Sequence, residues 1–563
     1  MTIRKTTLGY CLILAISFLT TSALAEDADL VLLGGKILTL DSASSEVQAL
    51  AIRDGKILFT GPDDQAGSWV GLGTHVIELD GRTVIPGLID SHIHAIRAGL
   101  TFASEVRWFD VKSLQEGFEN LRESASVTPP GEWIIVAGGW VKEQMREQRA
   151  PTLSELDAVS TDHPIYIQHQ YNLVVLNSAG MEALGISGDV ANPPHGKYER
   201  DESNQLTGRI SGELPLFIQL HGKLPKPPFE QQLEGTRAFM SELNRLGLTG
   251  ILDPGGGGVF PHSYRALYKL WQAGELTQRV RYQVTVQSRG NELRDIKQWS
   301  DYQTMGHGDP MLRFSGFGEV IIWGMHDGSE IGTPFNASDK AKDDLYEAAR
   351  YLAEREISLQ IHAQRNHSAK QILDIFERVN TEFPITHLRW AIVHGEDLSE
   401  PTLHRMKQLG MGWGVQDRLY FMGDNYLKIK GRGNAAAAPP IRTGLETGVV
   451  IGAGTDSHRV APYNPFISLE WLVTGKSISG TVIRGADESP NRDEALRMYT
   501  LGSAWMTFDE DQRGSLEVGK LADLAVLSDD YMTVADEDIS EIVSLLTIVD
   551  GKIVYSATPF AMK

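Results

Sequence analysis

Between residues 84 and 457, apolar β-type runs alternate with helical stretches, and no other feature of the chain constrains its fold as strongly. Eight candidate strands are present, at 84–94, 248–254, 280–287, 312–322, 358–364, 388–396, 411–417 and 449–457. Helical stretches such as 340–355 and 369–379 lie between most of them. Alternation of this kind predicts an α/β fold with parallel strands, and eight repeats predict a (β/α)8 TIM-type barrel. The gap after the first strand is too long for a simple crossover. Residues 96–245 therefore read as an insertion, with strand-like runs at 133–137, 164–168 and 173–176 and a proline-rich stretch at 224–229.

The two ends of the chain are different in character. Residues 27–86 carry short β-runs broken by Gly34-Gly35, Asp54-Gly55 and Asp80-Gly81. Asp-Gly between apolar runs signals a hairpin, because both turn positions must accept positive φ. The C-terminus repeats the device around Asp550-Gly551. Two β-rich ends flanking one long middle predict a composite β-sandwich built from both termini. Before it, Arg4 and Lys5 precede an apolar run at 8–19 and the small-x-small sequence Ala23-Leu24-Ala25. That pattern reads as a cleaved signal over residues 1–25, too short in its apolar part to span a bilayer. The expectation is a periplasmic or secreted protein with no stable membrane insertion. The only cysteine, Cys11, falls inside this segment, so the mature chain would hold no thiolate ligand. The domain expectation is then a signal at 1–25, a β-sandwich from 26–83 and 507–563, a barrel from 84–95 and 246–506, and an insertion at 96–245. With 52 basic and 73 acidic side chains and a net charge of −21, nucleic-acid binding is disfavoured. The expected partner is a small-molecule substrate, and a homodimer is compatible with the sequence.

The strongest local signal for chemistry is Asp90-Ser91-His92-Ile93-His94. On a strand, residues two apart project to the same face, so His92 and His94 would point inward together. A lone His-x-His is weak evidence, because surface and core histidines explain most such pairs. Three other apolar runs also end in ligand-type residues, namely His362, His394 and Asp456. In a (β/α)8 barrel the C-terminal strand ends converge on one mouth. Four imidazoles and a carboxylate gathered there point to a divalent metal; the alternative is a set of unrelated polar strand caps. The metal reading requires His92 and Asp456 to lie within about 10 Å, since coordination bonds to zinc are about 2 Å.

These residues give the chain a resemblance to the amidohydrolase superfamily, in particular to amidohydrolase family 3. The resemblance rests on Val84-Ile85-Pro86-Gly87-Leu88-Ile89-Asp90-Ser91-His92-Ile93-His94, His362, Val393-His394-Gly395-Glu396, Gly454-Thr455-Asp456-Ser457 and the stretch Gly514 to Leu524. It implies a distorted barrel, a composite β-sandwich and one or two divalent ions, with zinc favoured and manganese, iron or cobalt still open. It implies His92 and His94 as ligands of a buried metal, Asp456 as the carboxylate that touches that metal and shuttles a proton, and His362 and His394 as ligands of a second ion. Many relatives bridge two metals with a carboxylated lysine on the fourth strand. Here that strand has no lysine, and Glu319 is its one acid. Glu319 is the candidate bridge; the alternative is a strand-capping glutamate and a single-metal site. In the insertion, Asn172 stands where the family usually has a histidine, with His169 nearby. Trp140 is either a substrate platform or insertion core, and His458 is a candidate substrate contact. Gly255 to Gly258 lack the ending of a phosphate loop and read as a flexible loop.

The implied function is hydrolysis of an amide or N-acyl C–N bond by an exported metal-dependent amidohydrolase. An isomerase or lyase on the same metal site, and a catalytically silent binding or regulatory relative, are the alternatives.

Overall fold

The computed structural model describes residues 27–332 and 335–561. The expected signal segment and Cys11 lie outside the described residues. Among the described residues, no helix is long and apolar enough to cross a membrane.

Eight parallel strands carry the middle of the chain: β1 (Leu88–Asp90), β2 (Leu248–Asp253), β3 (Arg279–Val284), β4 (Leu312–Phe317), β5 (Gln360–Ala363), β6 (Ala391–His394), β7 (Gly412–Gln416) and β8 (Val450–Gly454). They form two four-stranded sheets, in the orders β1-β2-β3-β4 and β5-β6-β7-β8. A parallel bridge between Phe317 and Leu359 links β4 to the start of β5. On the other side, Ser91 N donates to Ala453 O at 3.0 Å, linking β1 to β8. All eight expected strands are present, each shorter than its apolar run.

The run at 84–94 departs most from expectation. It is two strands in two sheets. Thr83–Pro86 pairs with Lys36–Leu38 and Leu524–Leu527, whereas Leu88–Asp90 pairs with β2. The switch occurs at Gly87, where a Cβ would lie 2.2 Å from the Thr249 side chain. Only glycine permits that approach. His92 and His94 consequently lie beyond the end of β1 and not on a strand.

Helices cover the strands for reasons legible in their sequences. Asp339–Glu354 begins at Ser338, whose side chain accepts from Ala341 N, satisfying one of the free N–H groups of the first turn. It buries Ala341, Leu345, Ala348, Ala349, Leu352 and Ala353, an apolar stripe at helical spacing. Asn366–Glu382 does the same with Ala369, Ile372, Leu373, Phe376 and Val379.

The termini build two further sheets. One is N-terminal only, ordered Lys56–Gly61, Ala49–Arg53, Leu30–Leu33, His75–Glu78. The other is six-stranded and mixes both ends of the chain, with Leu524–Leu527 beside Thr83–Pro86. One apolar cluster draws on both sheets, including Leu30, Leu32, Leu50 and Ile52 from the first and Ile37, Val84, Leu524 and Ile548 from the second. Asp54-Gly55 and Asp550-Gly551 close hairpins with both residues at positive φ. Asp80-Gly81 has the same conformation but is not a hairpin, because the strands it joins belong to different sheets. The insertion holds its own five-stranded sheet, including a hairpin of Gly196–Arg200 and Leu206–Gly212 that the strand-like runs in the sequence did not announce.

Two buried arginines at the start of β3 tie the parallel strands to the C-terminal segment. Arg279 forks onto Asp523, with Nε and Nη2 donating at 2.7 and 3.0 Å. Arg281 forks onto Asp509 at 2.8 and 3.1 Å. All four residues are at most 4% exposed.

Candidate functional site

The opposite ends of the same strands bring together the six residues singled out in the sequence. His94 Nε2 lies 3.1 Å from Asp456 Oδ1, and His92 Nε2 lies 3.7 Å from the same oxygen. The separation of His92 and Asp456 is thus well inside the limit that the metal reading required. Glu319 stands between the two groups of histidines. Its Oε1 is 3.5 Å from His94 Nε2, and its Oε2 is 3.2 Å from both His362 Nδ1 and His394 Nε2. Two ligand sets have donor atoms within 4.8 Å of one another, His92–His94–Asp456 and His92–Glu319–His394. Three of the positions follow from strand-end placement. His394 closes β6 with φ +75°, and Asp456 follows β8 with φ +56°. Left-handed backbone at such residues is uncommon and persists where surrounding structure enforces it. Glu319 lies two residues past β4, not within it.

The hydrogen bonds fix which nitrogen faces inward. Gly255 O can only accept, so His94 Nδ1, 2.8 Å away, donates to it, which turns Nε2 toward Asp456 and Glu319. The approach is close: a Cβ on Gly256 would lie 2.9 Å from the His94 ring. The glycine-rich stretch at 255–258 therefore positions a histidine. His362 Nε2 faces Gly328 O and Asp327 Oδ1, each at 3.2 Å, leaving Nδ1 toward Glu319. Asp327 is buried and was not anticipated, nor was His326, whose ring stacks on His362 with centroids 3.8 Å apart.

His92 is fully buried, and neither ring nitrogen has a hydrogen-bond partner; His394 Nδ1 is likewise unpartnered. Unpaired buried polar atoms are costly, and native structures contain few. Burial pushes the His92 imidazole down to about 4, so it is neutral at pH 7 with a lone pair to offer. Burial opposes ionisation of Glu319, but the hydrogen bonds from His362 and His394 outweigh it and hold the carboxyl well below its usual range. Burial likewise opposes the charge on Asp456, and the His94 hydrogen bond with the nearby histidines overcomes it. For His362, burial is outweighed by Asp327 and Glu319, which raise it to about 10. Ionised carboxylates, the neutral His92 imidazole and unsatisfied nitrogens converging at these distances fit a divalent cation, which would compete with the His362 proton.

The residues face a cavity of about 560 Å3 lined by His94, Glu319, His362, His394 and Asp456, among others. That size suits a small organic ligand. Three expected substrate contacts are not in its lining. Trp140 is fully buried and packs edge-on against Trp108, with its Nε1 donating to Gln168 O. It belongs to the apolar core of the insertion, with Trp108, Leu121, Val136 and Ile167. Asn172 is exposed and pairs with His169 Nδ1 at 2.8 Å. His458 is buried behind the wall, 3.1 Å from Glu105 Oε2. The wall itself includes Arg97, Glu105, His221 and Arg459, none of them indicated by strand-end logic.

Residues 75–555 match the amidohydrolase family. The chain is 25% identical over 548 residues to an N-substituted formamide deformylase from Arthrobacter pascens, covering 94% of this chain and 99% of the relative. It is 26% identical over 547 residues to the protein LONG AFTER FAR-RED 3 of Arabidopsis thaliana, covering 94% and 92%. Among solved structures, an uncharacterized metal-dependent hydrolase from Pyrococcus horikoshii OT3 superimposes with a TM-score of 0.66 at 21% identity, covering 90% of this chain and 99% of that one. Atrazine chlorohydrolase TrzN from Arthrobacter aurescens TC1, complexed with zinc, gives 0.52 at 15% identity over 94% and 95%.

Proposed function

The chain belongs to the amidohydrolase family, and from that premise we propose that it is an exported metal-dependent hydrolase of an amide or N-acyl C–N bond. The two parallel sheets act as one distorted (β/α)8 barrel, with the terminal sheets as a composite β-sandwich. His92, His94, Asp456, Glu319, His362 and His394 hold one or two divalent ions, zinc first. The observation that carries the reading is His92, buried with both nitrogens unpartnered at the centre of both ligand sets. The formamide deformylase relative supports the bond class and the zinc-bearing chlorohydrolase supports the metal class.

A bound divalent ion lowers the pKa of coordinated water and polarises a carbonyl oxygen. The protein's own residues do the rest. Asp456 is held ionised, so its Oδ1 accepts the proton of the attacking water and returns it to the leaving nitrogen. Glu319 presents one oxygen to His94 and the other to His362 and His394, so it would help hold whichever divalent ions these histidines bind. Gly255 O and Asp327 hold the rings of His94 and His362 in register.

Metal analysis of the purified protein and hydrolysis of N-acyl and N-formyl substrates in 18O-labelled water test the reading together. We expect at least one divalent ion per chain and one 18O atom in the acid product. A chain without stoichiometric metal would be a silent binding protein, and turnover without label would be isomerase or lyase chemistry. The export part of the proposal rests on Arg4, Lys5 and the apolar run at 8–19. It predicts a mature N-terminus near Glu26, read by sequencing the protein recovered from a bacterial host.

A further inference from the structure

One histidine beside the ligand cluster is held in a form that cannot be a ligand. His326 closes the 3-10 turn Trp323–Met325, its backbone N–H donating to Trp323 O at 3.3 Å. Three residues per turn place positions 323 and 326 on the same side, and Trp323 and His326 both line the cavity. The His326 ring lies nearly parallel to that of His362, at 12° with centroids 3.8 Å apart, and the Trp323 ring centroid is 6.1 Å away.

The tautomer follows from one hydrogen bond. Gly328 N–H can only donate, and it donates to His326 Nδ1 at 3.1 Å. Nδ1 therefore carries a lone pair, the ring is neutral, and its single proton sits on Nε2. A protonated ring would carry hydrogen on both nitrogens and lose this bond. With the Nδ1 lone pair engaged and Nε2 protonated, neither nitrogen is free to coordinate a cation. Among the described residues His326 makes no ion pair, whereas His94, His362 and His394 each meet Glu319.

The proton on Nε2 is left for the cavity. Among the described residues nothing accepts from Nε2, yet it is not sealed off as both nitrogens of His92 are; the residue is half-buried and lines the cavity. Its direction is fixed from two sides, by the stack on His362 and by the bond from Gly328. Gly328 also turns its O toward His362 Nε2 at 3.2 Å, so the peptide groups of one residue set the two rings in relation to each other. A sealed nitrogen with a lone pair suits a cation, whereas an accessible N–H of fixed direction suits an acceptor. A donor already oriented costs no reorganisation when the acceptor arrives, and a site built around a hydrogen bond discriminates strongly against ligands that cannot make it.

We propose that His326 is a substrate-contacting residue, its neutral Nε2–H donating to an acceptor oxygen of the substrate, and not a further imidazole ligand. The proposal rests on the hydrolase reading above, and its tests separate the two. Two substitutions distinguish donating from packing. His326→Phe keeps a ring to stack on His362 and removes the N–H; His326→Gln removes the ring, but its amide can accept from Gly328 N and still donate into the cavity. The probes are N-alkylmethanesulfonamides of graded chain length, whose sulfonyl oxygens accept hydrogen bonds and whose S–N bond resists hydrolysis. Their affinity is measured by calorimetry on the zinc-loaded full chain, with all variants compared at equal metal content. We expect His326→Phe to bind about tenfold more weakly than the parent, the scale of one hydrogen bond, and His326→Gln to retain most of the affinity. Unchanged affinity in His326→Phe, an equal loss in both variants, or no binding of any probe by the parent each overturns the proposal. A neutron structure of the parent needs no variant: it should show a deuteron on Nε2 and none on Nδ1, and a deuteron on Nδ1 or a metal ion on Nε2 overturns the proposal. Turnover of N-acyl and N-formyl amides is compared last. A fall in kcat/KM in His326→Phe that His326→Gln largely restores supports the proposal. Undiminished hydrolysis in His326→Phe, or an equal fall in both variants, overturns it and leaves the hydrolase reading intact. No hydrolysis of any amide, with sulfonamide binding still dependent on the donor, overturns the hydrolase reading and leaves His326 as a ligand-binding residue.

Discussion

The two ends of the parallel strands solve opposite electrostatic problems. At the N-terminal end, charge is buried and paired. Arg279 and Arg281 each fork onto one carboxylate, and Asp509 also accepts from Arg513 at 2.9 Å. At the C-terminal end, charge is buried and left short of partners. His92 has two unpartnered nitrogens, and among the described residues the cavity-lining Arg97, Arg289 and Arg459 form no ion pair. The strands are the same and the burial is similar; at the base each buried arginine forms an ion pair, whereas at the mouth His92 is left with no partner at all. Unpartnered buried atoms occur elsewhere too, Arg513 Nε and Nη1 at the base among them, but at the mouth they belong to imidazoles that converge with carboxylates on one point, and that convergence is what a cation would complete.

Substitution should separate the two ends cleanly. The largest effect is expected at the mouth. Asp456→Asn should lower turnover by about 10³-fold, the scale of losing a positioned proton acceptor, while largely retaining metal and the wild-type melting temperature. Steady-state rates with metal analysis check this, and wild-type turnover in the variant would remove Asp456 as the shuttle. At the base, Arg281→Met leaves Asp509 short of one of its buried partners and should cost about 3–5 kcal/mol of stability, read by denaturant unfolding. The folded fraction should bind metal as the parent does. The pH dependence follows from the direction of the Asp509 shift. Burial opposes its charge, but Arg513 and Arg281 prevail and hold the carboxyl below its usual range. A depressed native carboxylate stabilises the fold fully above its unfolded value of about 3.9 and loses that contribution as pH falls below it. Asp509→Asn should therefore flatten the acid limb of the stability curve, and an unchanged limb would contradict the assignment.

The sequence disclosed these two ends unequally. The mouth was legible because each ligand terminates an apolar run, as His362, His394 and Asp456 do, and strand ends converge whatever the loops between them. The reasoning for His92 and His94 reached the right place by an incomplete route. They were expected on a strand, alternating to one face, but the strand ends at Asp90 and the loop after it brings them inward. Asp327 went unseen because residues 319–331 have no period of two or of 3.6 to place them on. The doublet His326-Asp327 was the available signal. Arg97 and Arg459 adjoin the ligands in sequence, yet nothing local separates a cavity-facing arginine from a surface one. Trp140 stood between platform and insertion core in the sequence, and packing against Trp108 identifies it as core. The base was not legible at all, since Arg279 meets Asp523 across 244 residues.

Two smaller effects sharpen the comparison within the mouth itself. Glu319→Gln should lower metal occupancy toward one ion, because a neutral amide oxygen is a poor bridge between two cations; retention of two ions at full affinity would remove Glu319 from that role. Asp327→Asn should act less directly. Asp327 touches His362 Nε2 and accepts from Gln364 N and Arg365 N; it reaches any cation only through the His362 ring. Carboxylates placed in this way typically change metal affinity by about 10–100-fold. An asparagine keeps an acceptor oxygen for those backbone groups, so the local fold should survive. It removes one of the two charges, Asp327 and Glu319, that raise His362 to about 10, so the proton competing with a cation at Nδ1 is held less tightly. The two consequences oppose each other, and pH resolves them. At high pH, where His362 is neutral in either protein, Asp327→Asn should bind metal more weakly than the parent. As pH falls toward 6, the deficit should narrow, because the parent must displace the more tightly held proton. A deficit that stays constant across that range would mean Asp327 merely orients the ring and does not set its charge.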